Sequence, residues 1–597
     1  MIASSPGGRQ FPAGPAPATN SVLLRDAQRK QWLYFEGPVL VLAARTLSEV
    51  ASVLAEVEEA VSKQRLHAAG WISYEAAPAF DASLAVRNPT AFPLVWFGLF
   101  KTPVAVELPV LQESVVAPTI DWIPSISPAR YQSCLSRIRD YIREGHTYQV
   151  NFTWRWRTSF GRNPWPEFLQ MIRAQPHGYG GFIETDDWFV CSSSPELFFD
   201  RTGRRLVCRP MKGTAPRGLS CAEDEQLKAG LRQSEKNRAE NLMVVDMVRN
   251  DMGRVVLPGR VEVSELFALE QYPTVWQMTS TVAGEISDGL TLMELFRALF
   301  PAASITGAPK SRTMQIIAEL EDSPRGLYTG ALGFVSPGQR AQFNVAIRTA
   351  VIDRRSRGAE FGVGGGIVWD STASEEYREC LDKFRVLTHR RPEFRLLESM
   401  RWTPEEGFFL LDFHLKRLED SARYFGISFD RPRIEADLAS RNRILPGKPH
   451  KVRLLYSCRG EIEIEAEPLD TSKPSAPLRA CLARSAVDIE DVFLYHKTTR
   501  RRTYETASQE CPNHDEVLLW NPKGELTEFC AANLVLDLEG ALVTPLQRCG
   551  LLAGTYRAWL LQRGKIRERV VRLEDLGRCR RVLAVNSVRG EREVVID

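Results

Sequence analysis

The chain predicts an α+β architecture built in two successive modules, on three observations. Strand-like runs at residues 93–100 and 188–191 mix with helical periodicity, without the regular βαβ alternation of a doubly wound sheet. One stretch, residues 388–394 with His389-Arg390-Arg391-Pro392 inside it, separates two different residue patterns. At 597 residues the chain exceeds what a single core supports. The expected organisation is a disordered tail at 1–20, a first module at 21–387, a linker at 388–394 and a second module at 395–597.

Composition narrows the class of function. Hydrophobic residues make up 44% and charged residues 25%, both ordinary for globular domains, and a net charge of +3 gives no electrostatic case for nucleic acid or a membrane surface. Small-molecule chemistry is the reading that remains. The eleven cysteines are an odd number without CxxC spacing, which argues against a disulfide framework or a zinc site and for a reducing cytoplasm. Residues 1–20 lack the apolar core of a signal peptide, and no later run approaches a membrane span.

Taken in order, the elements carry their own signals. Arg201-Thr202-Gly203-Arg204 reads as a hairpin turn. From Glu235 to Arg254, Leu242, Val245 and Val248 recur at helical spacing, and Gly253 is the expected stop. Glu376, Glu379 and Lys383 stand at i, i+3 and i+7, along one face of a predicted helix. The run Gly362-Val-Gly-Gly-Gly-Ile-Val368 before it reads as a turn whose N–H groups can face a carboxylate. Beyond the linker, residues 396–402 and 451–456 read as strands, while Leu415, Leu418, Ala422 and Phe425 form a helical stripe.

Two lysines carry the chemical argument. Lys212, in Pro210-Met-Lys-Gly-Thr214, follows Glu196 of Ser193-Ser-Pro-Glu196 across the expected hairpin, which offers a nucleophile and a carboxylic acid. An unperturbed lysine, at about 10.4, is protonated and inert, so attack requires burial or a cationic neighbour to bring it toward neutrality. Glu240, in the first turns of its helix, and the Glu376/Glu379 pair supply carboxylates on separate helices. That arrangement suits Mg²⁺, which uses few protein oxygens and completes its shell with substrate and water.

The blocks Ser193–Glu196, Pro210–Thr214, Ala239-Glu-Asn-Leu-Met-Val-Val-Asp-Met-Val-Arg-Asn-Asp251, Ser304-Ile-Thr-Gly-Ala-Pro-Lys310, Ala346-Ile-Arg-Thr349 and Gly364-Gly-Gly-Ile-Val368 resemble, in order, the signatures of the chorismate-utilising enzymes. Gly70-Trp-Ile-Ser-Tyr-Glu75 and Tyr148-Gln-Val-Asn-Phe152 extend the resemblance over roughly residues 65 to 385. It implies an anthranilate synthase component I-like fold of two stacked antiparallel sheets with a chorismate and Mg²⁺ site. Within that family, anthranilate synthases carry Ala where this chain has Lys212, and aminodeoxychorismate synthase component I carries Lys. The resemblance therefore implies Lys212 as nucleophile and Glu196 as acid. It also implies Glu240 and Glu379 as Mg²⁺ ligands, with Glu376 reaching the metal directly or through water, and Tyr328 and Arg348 on a substrate carboxylate. Thr306, Gly365, Gly366 and Lys383 are further pocket candidates. The family commonly has His where this chain has Gln277, which keeps a hydrogen-bonding role but cannot titrate near neutrality.

The second module resembles the class IV aminotransferase-like fold, also called D-amino acid aminotransferase-like, an α/β domain pair. The blocks are Leu396-Leu-Glu-Ser-Met-Arg401, His414-Leu-Lys-Arg-Leu418, Leu494-Tyr-His-Lys-Thr-Thr-Arg500, Leu526-Thr-Glu-Phe-Cys-Ala-Ala-Asn533, Gly550-Leu-Leu-Ala-Gly-Thr-Tyr-Arg557 and Asn586-Ser-Val-Arg-Gly590. The resemblance implies pyridoxal 5'-phosphate joined to Lys497, Glu528 on its ring nitrogen, and Arg417, Gly554, Thr555 and Ser587 around its phosphate. Tyr556 stands where the family block has Thr. Together the two resemblances imply amination of chorismate to 4-amino-4-deoxychorismate, then elimination of pyruvate to give 4-aminobenzoate. The alternative is an anthranilate synthase-like enzyme fused to a class IV aminotransferase. No Gly-x-Cys-x-Gly glutaminase block occurs, so the expected ammonia is free or comes from a separate glutamine amidotransferase subunit.

Overall fold

A computed structural model describes residues 9–10, 19–109, 120–176, 178–388, 392–470 and 476–597. Most of the expected tail at 1–20 and the centre of the expected linker, 389–391, lie outside the described residues. The chain forms two compact units, one of residues 1–215 and 230–391, the other of 216–229 and 392–597. A short piece from inside the first module thus belongs to the second unit, and no motif marks it.

The first unit contains two large sheets. One runs, in spatial order, through Ser21–Asp26, Gly181–Glu184, Trp188–Ser192, Thr349–Asp353, Gly358–Ile367 and Gln149–Ser159. The other runs through Met211–Pro216, Val275–Glu285, Arg205–Arg209, Leu197–Thr202, Arg340–Val345, Ala331–Ser336 and His67–Ile72. Their strands are almost all antiparallel, as the α+β expectation requires. The expected hairpin is present, with Thr202 opposite Arg205 and Gly203 at φ +59. The chain passes from the first sheet to the second across Ser193-Ser194-Pro195-Glu196, between Trp188–Ser192 and Leu197–Thr202.

Helix Glu235–Met252 begins at Ser234, whose side chain accepts from the Asn237 N–H. It ends before Gly253, which keeps a right-handed φ of −58. The buried stripe is rotated from the expected one: Val244, Val245 and Val248 face inward with Asn241, whereas Leu242 is 45% exposed. The rotation has a polar cause, because Asn241 donates to the Lys212 carbonyl and accepts from Ser280 Oγ inside the packed face.

The glycine run departs further from expectation. It is the strand Gly358–Ile367, paired residue by residue with Gln149–Ser159 from Gly358↔Ser159 to Ile367↔Val150. Its glycines are needed for what lies over the strand. A Cβ on Gly362 would stand 2.2 Å from the Tyr328 ring, and one on Gly366 would stand 2.6 Å from Lys212 Nζ. The following helix, Ala373–Thr388, carries Glu376, Glu379 and Lys383 as expected.

In the second unit, Gly407–Phe408, Leu396–Thr403, His450–Tyr456 and Ile462–Pro468 form a four-stranded sheet. Helix Leu411–Phe425 buries Leu415, Leu418 and Ala422 in the same core as Leu396, Leu454 and Tyr456. The larger sheet has eight strands among the described residues and is barrel-like, because Leu526–Phe529 at one end also pairs with Asn533–Leu538. Its parallel pairs, Leu478–Leu482 with Glu516–Trp520 and with Gly590–Ile596, give the α/β character expected of this module. Among the described residues no helix is long and apolar enough to cross a membrane.

Candidate active sites

The first site is a cavity of about 360 Å³ in the first unit, where Glu196, Lys212, Glu240 and Gln277 meet Tyr328, Arg348, Gly366, Glu376, Glu379 and Lys383. Lys212 lies on Met211–Pro216, the terminal strand of its sheet, with Nζ toward Gly366. Burial lowers its pKa, and Lys383 adds to the effect, while Glu240, Glu379 and Glu196 oppose it. Glu196 moves the other way. Burial raises its carboxyl to about 7, against the opposing pull of a hydrogen bond from Ser304 Oγ and the charge of Lys212. Near neutrality the site therefore holds a carboxylic acid able to give up a proton beside an amine eased toward its neutral form.

The remaining groups divide by what holds them. Glu379 is kept ionised by Lys383, 2.7 Å away, whose ammonium also donates to the Gly364 carbonyl at 2.7 Å. Glu376 accepts from Ser371 Oγ at 2.6 Å, and burial raises its pKa. Burial likewise raises Glu240, against the charge of Lys212. Glu379 repels both other carboxylates, yet among the described residues no three such groups gather closely enough to hold a metal ion unaided. An ion such as Mg²⁺ needs only one or two carboxylates, the rest of its shell coming from substrate and water.

Tyr328 lies against Gly362, and burial raises its phenol to about 12. Arg348 has a left-handed φ of +49, a conformation costing about 1 kcal/mol or more for a side-chain-bearing residue, and its guanidinium is desolvated. Gln277 spends its amide on the neighbouring strand, donating to the Gly213 carbonyl at 2.9 Å and accepting from Thr214 Oγ1 at 3.0 Å. It holds the Lys212 strand in place. Two expected residues do not line the cavity. Thr306 is fully buried, with its hydroxyl turned onto the carbonyls of Ala302 and Ala303, and Gly365 faces Glu376. Sequence reasoning missed Ser304, in the same block as Thr306, although it is the partner of the candidate acid.

The second site surrounds Lys497 in the second unit. Burial, with Arg417 and Arg501 nearby, lowers its pKa to about 7. Glu528 is raised to about 7 by burial and is fixed by the Leu552 N–H at 3.0 Å, the Tyr504 hydroxyl at 2.8 Å and Asn533 Nδ2 at 3.0 Å. Arg417 grips Glu398 with two bonds, of 2.9 and 2.6 Å, and donates to the Ala553 carbonyl at 3.2 Å. Burial disfavours the Glu398 anion, but Arg417 and His414 outweigh it and bring the carboxyl down to about 2.

The turn that Arg417 addresses leads through Gly554 into helix Thr555–Gln562. A Cβ on Gly554 would stand 1.8 Å from Asn533 Oδ1. Thr555 Oγ1 lies 3.3 Å from His414 Nε2, and Ser587 Oγ donates to the Ser399 carbonyl at 3.3 Å. Tyr556 points elsewhere, its hydroxyl donating to Glu591. The residues missed here are Glu398, His414 and Tyr504. The first two sit in blocks quoted for their pattern, but nothing in the pattern shows that they orient Arg417. A near-neutral lysine, a buried acid, and a guanidinium aimed at a helix start together fit pyridoxal phosphate.

Comparison with known proteins follows the same division. A family model described as chorismate binding enzyme matches residues 19–389, and one described as amino-transferase class IV matches 395–595. Aminodeoxychorismate synthase component 1 of Bacillus subtilis (strain 168) is 40% identical over 253 residues, 42% of this chain and 53% of that protein. Anthranilate synthase component 1 3 of Haloarcula marismortui is 34% identical over 362 residues, 53% of this chain and 71% of that protein. The chain spans between half and three quarters of the length of these two relatives. The crystal structure of anthranilate synthase component I from Streptococcus pneumoniae TIGR4 superposes with a TM-score of 0.52 at 24% identity, over 64% of this chain and 95% of that one, which speaks to fold alone. The chain belongs to the chorismate binding enzyme family and carries a class IV aminotransferase-like domain after it.

Proposed function

We propose that the first unit aminates chorismate at C4, and that the second converts the 4-amino-4-deoxychorismate formed to 4-aminobenzoate and pyruvate. The observation that carries the reading is Lys212: a desolvated lysine lies in the cavity beside Glu196, a carboxyl at about 7. Its Nζ forms a bond to ring C2 while the double bonds shift and the C4–O bond breaks, the hydroxyl leaving as water with the proton of Glu196. Ammonia then bonds to C4 as the C2–Nζ bond breaks, which returns the lysine and restores the ring double bonds. Tyr328 and Arg348 hold one substrate carboxylate, Arg348 through its planar fork. Glu240 and Glu379, with Glu376 directly or through water, would hold Mg²⁺, which neutralises and orients the other carboxylate. Thr306 and Gly365 act at most through the backbone. The ammonia comes free or from a separate glutamine amidotransferase.

In the second unit Lys497 is the amine to which pyridoxal phosphate would be joined, and that group supplies the electron sink for elimination. Arg417, Gly554, Thr555 and Ser587 would hold its phosphate, Glu528 would pair with its ring nitrogen, and Lys497, near neutrality, would carry protons to and from substrate carbon. The match to the amino-transferase class IV description favours a second reading of this half, amino-group exchange with a 2-oxo acid. Mass-spectrometric analysis of products from chorismate, Mg²⁺ and ammonium separates the readings. Wild type should give 4-aminobenzoate and pyruvate, Lys212→Ala should lose 4-amino-4-deoxychorismate, and Lys497→Ala should accumulate it. Anthranilate as product would refute the first half of the proposal. Absence of pyruvate, with amino exchange instead, would refute the second.

A further inference from the structure

The first unit holds a second, larger cavity of about 690 Å³, within the range of small-molecule sites. The aromatic rings of Phe92, Trp188 and Tyr328 and the guanidinium of Arg155 line it. Tyr328 and Gly362 line both cavities, so the two share a wall. Phe92 and Trp188 pack edge to face, with centroids 4.9 Å apart.

Arg155 is the unusual member. It is 2% exposed, and its guanidinium stands 4.9 Å from the centre of the Tyr328 ring. It donates to Thr153 Oγ1 and to the carbonyls of Trp154 and Pro324, while its buried Nε has no partner. The neighbouring carboxylates are already engaged. Glu75, which also feels the charge of Arg155, accepts from the N–H groups of Arg325 and Gly326. Glu321 is gripped by Arg325 through two bonds and also accepts from the Thr153 N–H and hydroxyl. Glu360 pairs with Arg157 at 2.9 Å, and Asp353 accepts from the N–H groups of Arg355 and Ser356. Arg155 therefore makes no ion pair among the described residues, and a buried guanidinium in that state favours an anion brought from outside.

We propose that this cavity is a binding site, separate from the chorismate cavity, for an aromatic monocarboxylate, whose carboxylate meets Arg155 and whose ring packs against Phe92 and Trp188. The proposal does not depend on which reaction the first unit catalyses. Because the cavities share Tyr328, occupancy should also alter the KM for chorismate.

Titration of the full chain with benzoate, 2-aminobenzoate, 4-aminobenzoate and 1-naphthoate, read by calorimetry and by Trp188 fluorescence, tests it. At least one should bind with a Kd below about 1 mM, undisplaced by saturating chorismate, with the fluorescence change lost in Trp188→Phe. Arg155→Met should weaken binding about tenfold or more, and Arg155→Lys less. Val351→Phe, which fills the cavity and leaves Arg155 intact, should block binding even if the Arg155 variants fold poorly. Three outcomes would overturn the proposal: no aryl carboxylate bound at about 10 mM, displacement by chorismate, or equal binding of benzylamine, which has the ring and no carboxylate.

Discussion

At the scale of single residues, burial decides protonation. In the proposed amination Glu196 serves as acid only while protonated, and with its carboxyl at about 7 the acid form is lost as pH rises through that value. Lys212, as the proposed nucleophile, would act only while neutral, so its contribution falls as pH drops. Amination should therefore follow a bell-shaped profile in kcat, and Glu196→Gln should remove the alkaline limb and lower kcat about 10²- to 10⁴-fold. Glu398 gives a stability prediction of definite sign. Its folded carboxyl lies at about 2, below the ordinary value of about 4.3, so its stabilisation is complete above that ordinary value and is lost as pH falls toward 2. Acid unfolding of the second unit, followed by circular dichroism, should lose part of its steepness between those limits in Glu398→Gln.

At the scale of elements, what was legible in the sequence was periodicity, and what was not was the neighbour across space. The stripe Leu415, Leu418, Ala422 and the spacing of Glu376, Glu379 and Lys383 specify helices by local rules, and helices form there. Leu242 misled because a polar residue, Asn241, takes the inward position to hold the Lys212 strand, which hydrophobic periodicity cannot express. The glycine run misled for a related reason: its glycines make room for Tyr328 and Lys212, which approach from distant parts of the chain. A graded response follows. Gly362→Ala drives a Cβ into a ring at 2.2 Å, an overpacking that should cost about 1–3 kcal/mol in chemical denaturation and raise the KM for chorismate. Gly365→Ala meets the far ends of two side chains, Glu376 at 3.0 Å and Lys383 at 4.0 Å, and should be milder in both measurements.

At the scale of the whole molecule, the sequence showed one change of pattern near 388–394, whereas the chain passes between its compact units three times, at 215/216, 229/230 and 391/392. Within the second unit, Arg217 pairs with Asp224 at 2.7 Å, donates to the Tyr424 carbonyl at 2.8 Å and lies 4.3 Å from the centre of the Tyr424 ring. A fragment of residues 395–597 lacks this cover. It should melt lower than a version carrying 216–229 on a flexible tether, as read by calorimetry.

The borrowed segment has a further consequence, for heat inactivation. Pro216 ends the strand that carries Lys212, and from that residue through Ala229 the chain belongs to the second unit. When the second unit melts, the strand loses its downstream anchorage four residues from the reactive amine, so amination should fail at the melting temperature of a unit that takes no part in it.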